Sequence, residues 1–136
     1  PYIQGSLEGI FEERGEYNID FIEDMPVEDA KKWLQNLPGV GPKTAAIVLC
    51  FGYNRPAFPV DTHVHRLGKR IGLLPEKISA NKAHEHMEAI VPDDEFYAFH
   101  LQLIYHGRAI CKARNPQCEI CPLQQYCDYY QALANE

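Results

Sequence analysis

The sequence predicts an all-α fold, and three observations carry that prediction. Apolar residues recur at three- and four-residue spacing in one segment after another. No stretch alternates apolar and polar residues over the length of a strand. Glycine, proline and N-capping residues stand between the periodic segments, where helices of ordinary length should start and stop. At 136 residues, 46% hydrophobic and 24% charged, the chain has material for one well-formed core.

The first helix is expected from Ile3, Leu7, Ile10 and Phe11 on one face, with Gly15 as its stop. A looser stretch covers residues 18–24. Pro26 opens a second helix whose apolar face is Val27, Ala30, Leu34 and Leu37. After the turn "LPGVG", a helix from about Pro42 to Phe51 is apolar on every side, so it belongs inside a bundle. The two prolines of "GYNRPAFPV" enforce an extended crossing. Asp61 then caps a helix striped by Val64, Leu67, Ile71 and Leu74, with Gly72 near its end. Ser79 caps the next, carrying Ala83, Met87 and Ile90 and stopped at Pro92. Asp93 or Asp94 starts a longer helix through Phe96, Phe99, Leu103 and Ile104 to about Gly107.

Net charge is −6, which taken alone argues against a nucleic-acid partner. Its distribution changes that. Residues 1–36 hold nine acids and three bases, the whole excess; residues 37–136 hold ten of each. Between Gly39 and Ile71, Lys43, Arg55, Arg66, Lys69 and Arg70 face only Asp61, and His100–Gln117 has three bases and no acid. Such stretches suit phosphate binding and equally a solvated helix face. No apolar run approaches the length of a membrane span. "PYIQGSLEG" lacks a secretory-signal pattern, and without an initiator methionine a processed form or a fragment is expected.

"LPGVGPKTA" makes a helix-hairpin-helix candidate. Gly39 and Gly41 permit positive φ and a close approach by another backbone. Open amides at the following helix start can then take a phosphate. Pro42 suits the first helical position. A helix N-terminus and an apolar surround both disfavour the ammonium form of Lys43. A neutral amine attacks a sugar C1′ or a carbonyl and forms a Schiff base. On this residue alone, a lysine reaching solvent or a phosphate is the simpler reading. Asp61 adds weight to the chemical one. Amides at a helix start hold its carboxylate ionised, able to stabilise an oxocarbenium-like sugar or accept a proton. An ordinary N-cap is the plain alternative. Lys43 and Asp61 are 18 residues apart, enough for one helix and a return to the same mouth.

Five cysteines without a secretion signal point to a reducing compartment rather than a disulfide scaffold. Cys111, Cys118, Cys121 and Cys127 crowd into one loop-rich segment with the spacing C-x6-C-x2-C-x5-C. Four thiolates there should organise around a metal, and spacing alone leaves an iron–sulfur cluster and zinc both open. Cys50 reads as a small core residue. Among six histidines, His84 and His86 hint weakly at a second metal site. His63 and His65, beside Asp61, are better placed to touch a ligand.

Together, "LPGVGPKTA", "FPVDTHVHR", "HGRAIC" and the four-cysteine spacing closely resemble endonuclease III, of the helix-hairpin-helix DNA glycosylases. The resemblance covers about residues 27–130. It implies a helical bundle with the hairpin motif and a C-terminal four-cysteine iron–sulfur loop. Residues 1–107 would form a partial helical glycosylase core, and 108–136 the cluster loop and tail. It also implies a [4Fe–4S] cluster held by the four cysteines, with zinc the alternative. The implied activity is excision of damaged pyrimidines from double-stranded DNA by a monomer in the cytoplasm, at the nucleoid, with abasic-site lyase action. Lys43 falls on the family's Schiff-base lysine and Asp61 on its catalytic aspartate; Gly39, Val40, Gly41, Thr44, His63 and Arg66 are the implied DNA contacts. Adenine-mismatch glycosylases look similar but lack the lysine. Two alternatives stand beside this: a non-catalytic DNA-binding module with a structural metal, and a glycosylase for mismatched thymine or alkylated bases. Family members carry further helices before the point where this chain begins, so a truncated piece of a longer protein is expected.

Overall fold

Seven α-helices, joined by turns and short 3-10 segments, carry the chain in the computed structural model, which describes residues 1–136. No strand forms, and no helix is long and apolar enough to cross a membrane. The helices fall into two units, Pro1–Pro59 and Val60–Glu136. The boundary expected at 107/108 lies inside the second.

The first unit holds α1 (Tyr2–Arg14), α2 (Val27–Gln35) and α3 (Pro42–Ile47), the last continuing into a wider π-type turn, Val48–Gly52. Its core gathers Ile22, Ala30, Leu34, Ala45, Ala46, Leu49 and Ala57, with Trp33 and Phe21 packed beside it. The helix expected to be buried all round is buried on one side: Phe51 at its end is exposed. α1 stops where expected, at Gly15, whose φ of 72° lets its N–H reach Phe11 O at 2.7 Å. The apolar stripe of α1 is not its packing face, however: no residue of it is buried, and Ile3 is 81% exposed. Small residues make the contact instead. Ser6 Oγ donates to Pro38 O at 2.8 Å. A Cβ added at Gly5 would lie 3.3 Å from the Pro38 ring, and one at Gly9 3.4 Å from Leu37.

Two prolines keep residues 56–59 out of helix, and Ala57, Phe58 and Pro59 are buried. Arg55 ties that crossing down by donating to the carbonyls of Ile22, Glu23 and Met25. These acceptors close a 3-10 turn, Asp20–Asp24, that hydrophobic patterning alone did not reveal.

The second unit is built on α4 (Thr62–Ile71), against which α5 (Ala80–Ile90), α6 (Phe96–Ala109) and α7 (Asp128–Ala134) pack. Val64, Leu67, Leu74, Ala83, Met87, Phe96 and Leu103 fill its core. The predicted caps form: Asp61 Oδ1 accepts from Val64 N at 2.8 Å, and Ser79 Oγ from Lys82 N at 3.2 Å. Gly72 closes α4 at φ 103°. Asp93–Glu95 forms a single 3-10 turn, and α6 follows directly. His84 is buried as a core polar group. Val60 N–H donates to its Nε2 at 3.1 Å, so the proton sits on Nδ1, which donates to Ala80 O at 3.0 Å.

Candidate functional site

The hairpin turn is glycine-dependent at one position, not two. Gly39 has φ 78°, in the left-handed region. Gly41 is extended, at φ −102° and ψ −173°, and serves as the N-cap of α3. The sequence cannot separate them, because both glycines satisfy either conformation. The expected open face at Gly39 is also filled: a Cβ there would meet the Tyr2 ring at 2.7 Å. Pro42 takes the first helical position as predicted. No side chain caps α3, so the amides of Lys43 and Thr44 lack an intrahelical acceptor. Val40 is half-buried. Lys43 is exposed, and the apolar surround expected for it is absent. The buried residues of α3 are Ala45 and Ala46, two and three residues further into the helix.

In the second unit, Asp61, His63 and Arg66 stand at the N-terminal end of α4. Asp61 is half-buried, its Oδ1 committed to the cap. Arg66 is turned inward. Its Nε donates to Cys111 O at 3.2 Å; its Nη2 donates to Cys111 O at 3.0 Å, to Gly107 O at 3.2 Å and to His63 Nδ1 at 3.0 Å. An arginine only donates, so His63 Nδ1 is the acceptor and its proton sits on Nε2, the ring nitrogen left for a ligand. Gly107 makes this possible. It is buried within α6 rather than ending it, and a Cβ there would lie 3.0 Å from both Arg66 Nη2 and His63 Nδ1. Its position in "HGR" hides that role, since a glycine near a helix end reads as a stop. His65 lies elsewhere, its Nε2 donating to Ile78 O at 2.8 Å.

The four C-terminal cysteines line one small cavity, walled otherwise by apolar groups such as Ile71, Ile110, Leu123 and Tyr129. All are free thiols. Burial pushes the Cys118 thiol up, and charge on Cys111, Cys121, Cys127 and Glu119 pushes it further. Four thiolates in such a place need positive charge among them, which a cluster of iron supplies. No three His, Cys, Asp or Glu side chains converge on a single-ion position. The four thiols line a common space, as the ligands of an iron–sulfur cluster would, and the histidines assemble no second site. Two side chains reach the sulfurs: Arg70 Nη1 donates to Cys111 Sγ at 3.4 Å, and His106 Nε2 lies 3.5 Å from Cys121 Sγ. Burial moves His106 down, towards its neutral form. The donor set therefore fits the iron–sulfur group, and Cys111, Cys118, Cys121 and Cys127 are the residues that would hold it.

Comparison with known proteins agrees with this geometry. Residues 111–127, running from the first of these cysteines to the last, match the iron–sulfur binding domain of endonuclease III. The chain is 50% identical over 99 residues to endonuclease III of Rickettsia prowazekii, covering 73% of this chain and 46% of that protein. A solved non-covalent endonuclease III–DNA complex superposes with a TM-score of 0.78 at 32% identity, over 96% of this chain and 57% of that one. A trapped endonuclease III–DNA covalent intermediate gives the same TM-score and identity over 95% and 57%. The all-helical fold, the hairpin and the cysteine loop thus resemble those of the helix-hairpin-helix DNA glycosylases. The chain is similar to the endonuclease III proteins, and its four C-terminal cysteines fall within their iron–sulfur binding domain, whose group is a [4Fe–4S] cluster. It spans about half the length of the curated relatives it matches.

Proposed function

We propose that this chain serves base-excision repair as a DNA glycosylase with abasic-site lyase activity on damaged pyrimidines. Its partner is double-stranded DNA holding a damaged base or an abasic site. It works as a monomer in the reducing cytoplasm, at the nucleoid. The observation that carries this reading is the match, over nearly the whole chain, to an endonuclease III trapped in a covalent intermediate with DNA.

The chemistry follows from the residues. A base within the stack is out of reach, so the nucleotide is first extruded. The open amides at Gly41, Lys43 and Thr44, together with Gly39 and Val40 in the turn, hold the backbone without reading sequence. His63 Nε2–H offers a further donor, and Arg66 acts by fixing the His63 ring. The Lys43 amine attacks C1′, forming a C–N bond as the bond from C1′ to the base breaks; the base leaves with the electron pair and takes up a proton. Asp61 offsets the positive charge that develops on the sugar. The amine then loses its proton, the sugar ring opens and an imine results. Loss of a C2′ proton expels the 3′ phosphate by β-elimination, and water releases the lysine. The bound cluster supplies no step here: it braces the loop bearing Lys112 and Arg114 against the phosphates.

A second reading, a glycosylase for mismatched thymine, is favoured by the fold's likeness to a thermostable thymine-DNA glycosylase, at a TM-score of 0.75 and 28% identity. Duplexes carrying an oxidised pyrimidine, a mismatched thymine or an alkylated purine separate the two. Strand incision at the oxidised pyrimidine is expected. Incision at the mismatch alone favours the second reading, and binding to every duplex with no incision favours a non-catalytic DNA-binding module.

A further inference from the structure

Arg70 stands one helical turn beyond Arg66, on the same face of α4. Its guanidinium reaches three acceptors on the cysteine segment. Nη1 donates to Cys111 Sγ at 3.4 Å and to Lys112 O at 2.8 Å, and Nη2 donates to Ala113 O at 3.1 Å. The same group lies 4.9 Å above the Tyr129 ring of α7. The backbone of Arg70 also lies beside the last cysteine: its carbonyl accepts from the free Cys127 thiol at 3.4 Å, a proton that ligation removes. One residue therefore touches the first and last cysteines of the loop, two consecutive carbonyls between them, and the helix that follows.

We propose that Arg70 is a positioning residue for the cluster, fixing both the electron affinity of the bound group and the path of the loop that presents Lys112 and Arg114. A hydrogen bond from a cation withdraws density from a thiolate sulfur and stabilises the more reduced cluster, so the potential rises and loss of an electron to dioxygen becomes harder. The two carbonyl bonds act separately. They hold the backbone after Cys111 in one conformation and so slow the exit of the first ligand. Lysine cannot do both, since one ammonium does not span three acceptors arranged for a planar fork. This inference rests on the cysteine site alone, and needs neither DNA nor glycosylase activity.

The test uses the whole chain loaded with its cluster. Arg70→Gln, Arg70→Lys and Lys69→Gln are compared with the original in helical content, midpoint potential, and half-life of the visible absorbance in air. Arg70→Gln should keep its helices, shift the potential downward and lose its cluster about tenfold faster. Arg70→Lys should recover most of the potential, because the charge remains, yet still bleach faster than the original. Lys69→Gln, which removes a neighbouring cation, should change neither quantity. An unaltered potential and half-life in Arg70→Gln overturns the proposal. So does an equal effect from Lys69→Gln, which would make it one of net charge only. Should Arg70→Gln fail to load, Arg70→Lys decides: faster bleaching supports the role, and an original half-life refutes it.

Discussion

Gly39→Ala strikes the hairpin at the position where geometry is least forgiving. The backbone there sits at φ 78°, where an L side chain costs about 1–2 kcal/mol. The new Cβ would also lie 2.7 Å from Tyr2 Cγ and 2.8 Å from Tyr2 Cβ. Rotating the ring cannot relieve the second contact, because the Cβ is fixed by the backbone of α1, so the helix itself must shift. Overpacking of this kind costs about 1–3 kcal/mol, giving a loss of about 2–5 kcal/mol in all. Urea unfolding followed by the fluorescence of the single tryptophan, Trp33, reads the first unit directly. The same substitution in a Tyr2→Gly background should cost only the backbone part, about 1–2 kcal/mol. Tyr2→Ala would be the wrong partner, since it leaves the Cβ in place. Equal costs in the two backgrounds would show that Tyr2 does not fill the space over the turn. No cost in either would contradict the left-handed turn itself.

Other substitutions separate roles that coincide in one residue. Asp61→Asn should preserve the α4 cap and its stability while abolishing base excision, whereas Asp61→Ala should also lose about 1 kcal/mol in urea unfolding. Cys118→Ala should remove the visible absorbance near ~400 nm of the loaded protein. Its iron content should fall with it, and a retained cluster would deny Cys118 a ligand's place. Tyr53 donates to Asp20 Oδ1 at 2.8 Å, and its hydroxyl is pushed from 10.0 up to about 12 by burial first, then by that bond and the charges of Asp20 and Glu23. The folded state therefore favours the protonated phenol. Its contribution is complete below pH 10 and is lost as pH rises towards 12. Tyr53→Phe should flatten stability across that window, and an unchanged slope would show that Tyr53 is not its source.

Helix ends were legible because each has a local chemical cause. Gly15, Asp61, Gly72 and Ser79 act within one turn of chain, so sequence spacing suffices to find them. What stayed hidden depends on partners far along the chain. Arg55 looks like one more surface cation, yet its donors go to carbonyls 30 or more residues away. Arg66 reads as a phosphate ligand until Cys111 O and Gly107 O are seen to occupy it. The stripe of α1 obeys helical periodicity but remains exposed, because its glycine side makes the closer contact. α7 is only seven residues long and buries none of them, so no apolar periodicity marks it in the sequence. Composition could not say which glycine turns left-handed; only the backbone angle distinguishes Gly39 from Gly41.

Covalent attachment of DNA to the exposed Lys43 amine at the start of α3 is the step that every other catalytic role depends on. Incubating the loaded protein with an abasic duplex and borohydride should reduce the imine to a stable cross-link, seen as a slower band on a denaturing gel. Lys43→Ala, folded and carrying its cluster, should give none. A cross-link that persists in Lys43→Ala, or one that never forms with the original chain, contradicts the assignment.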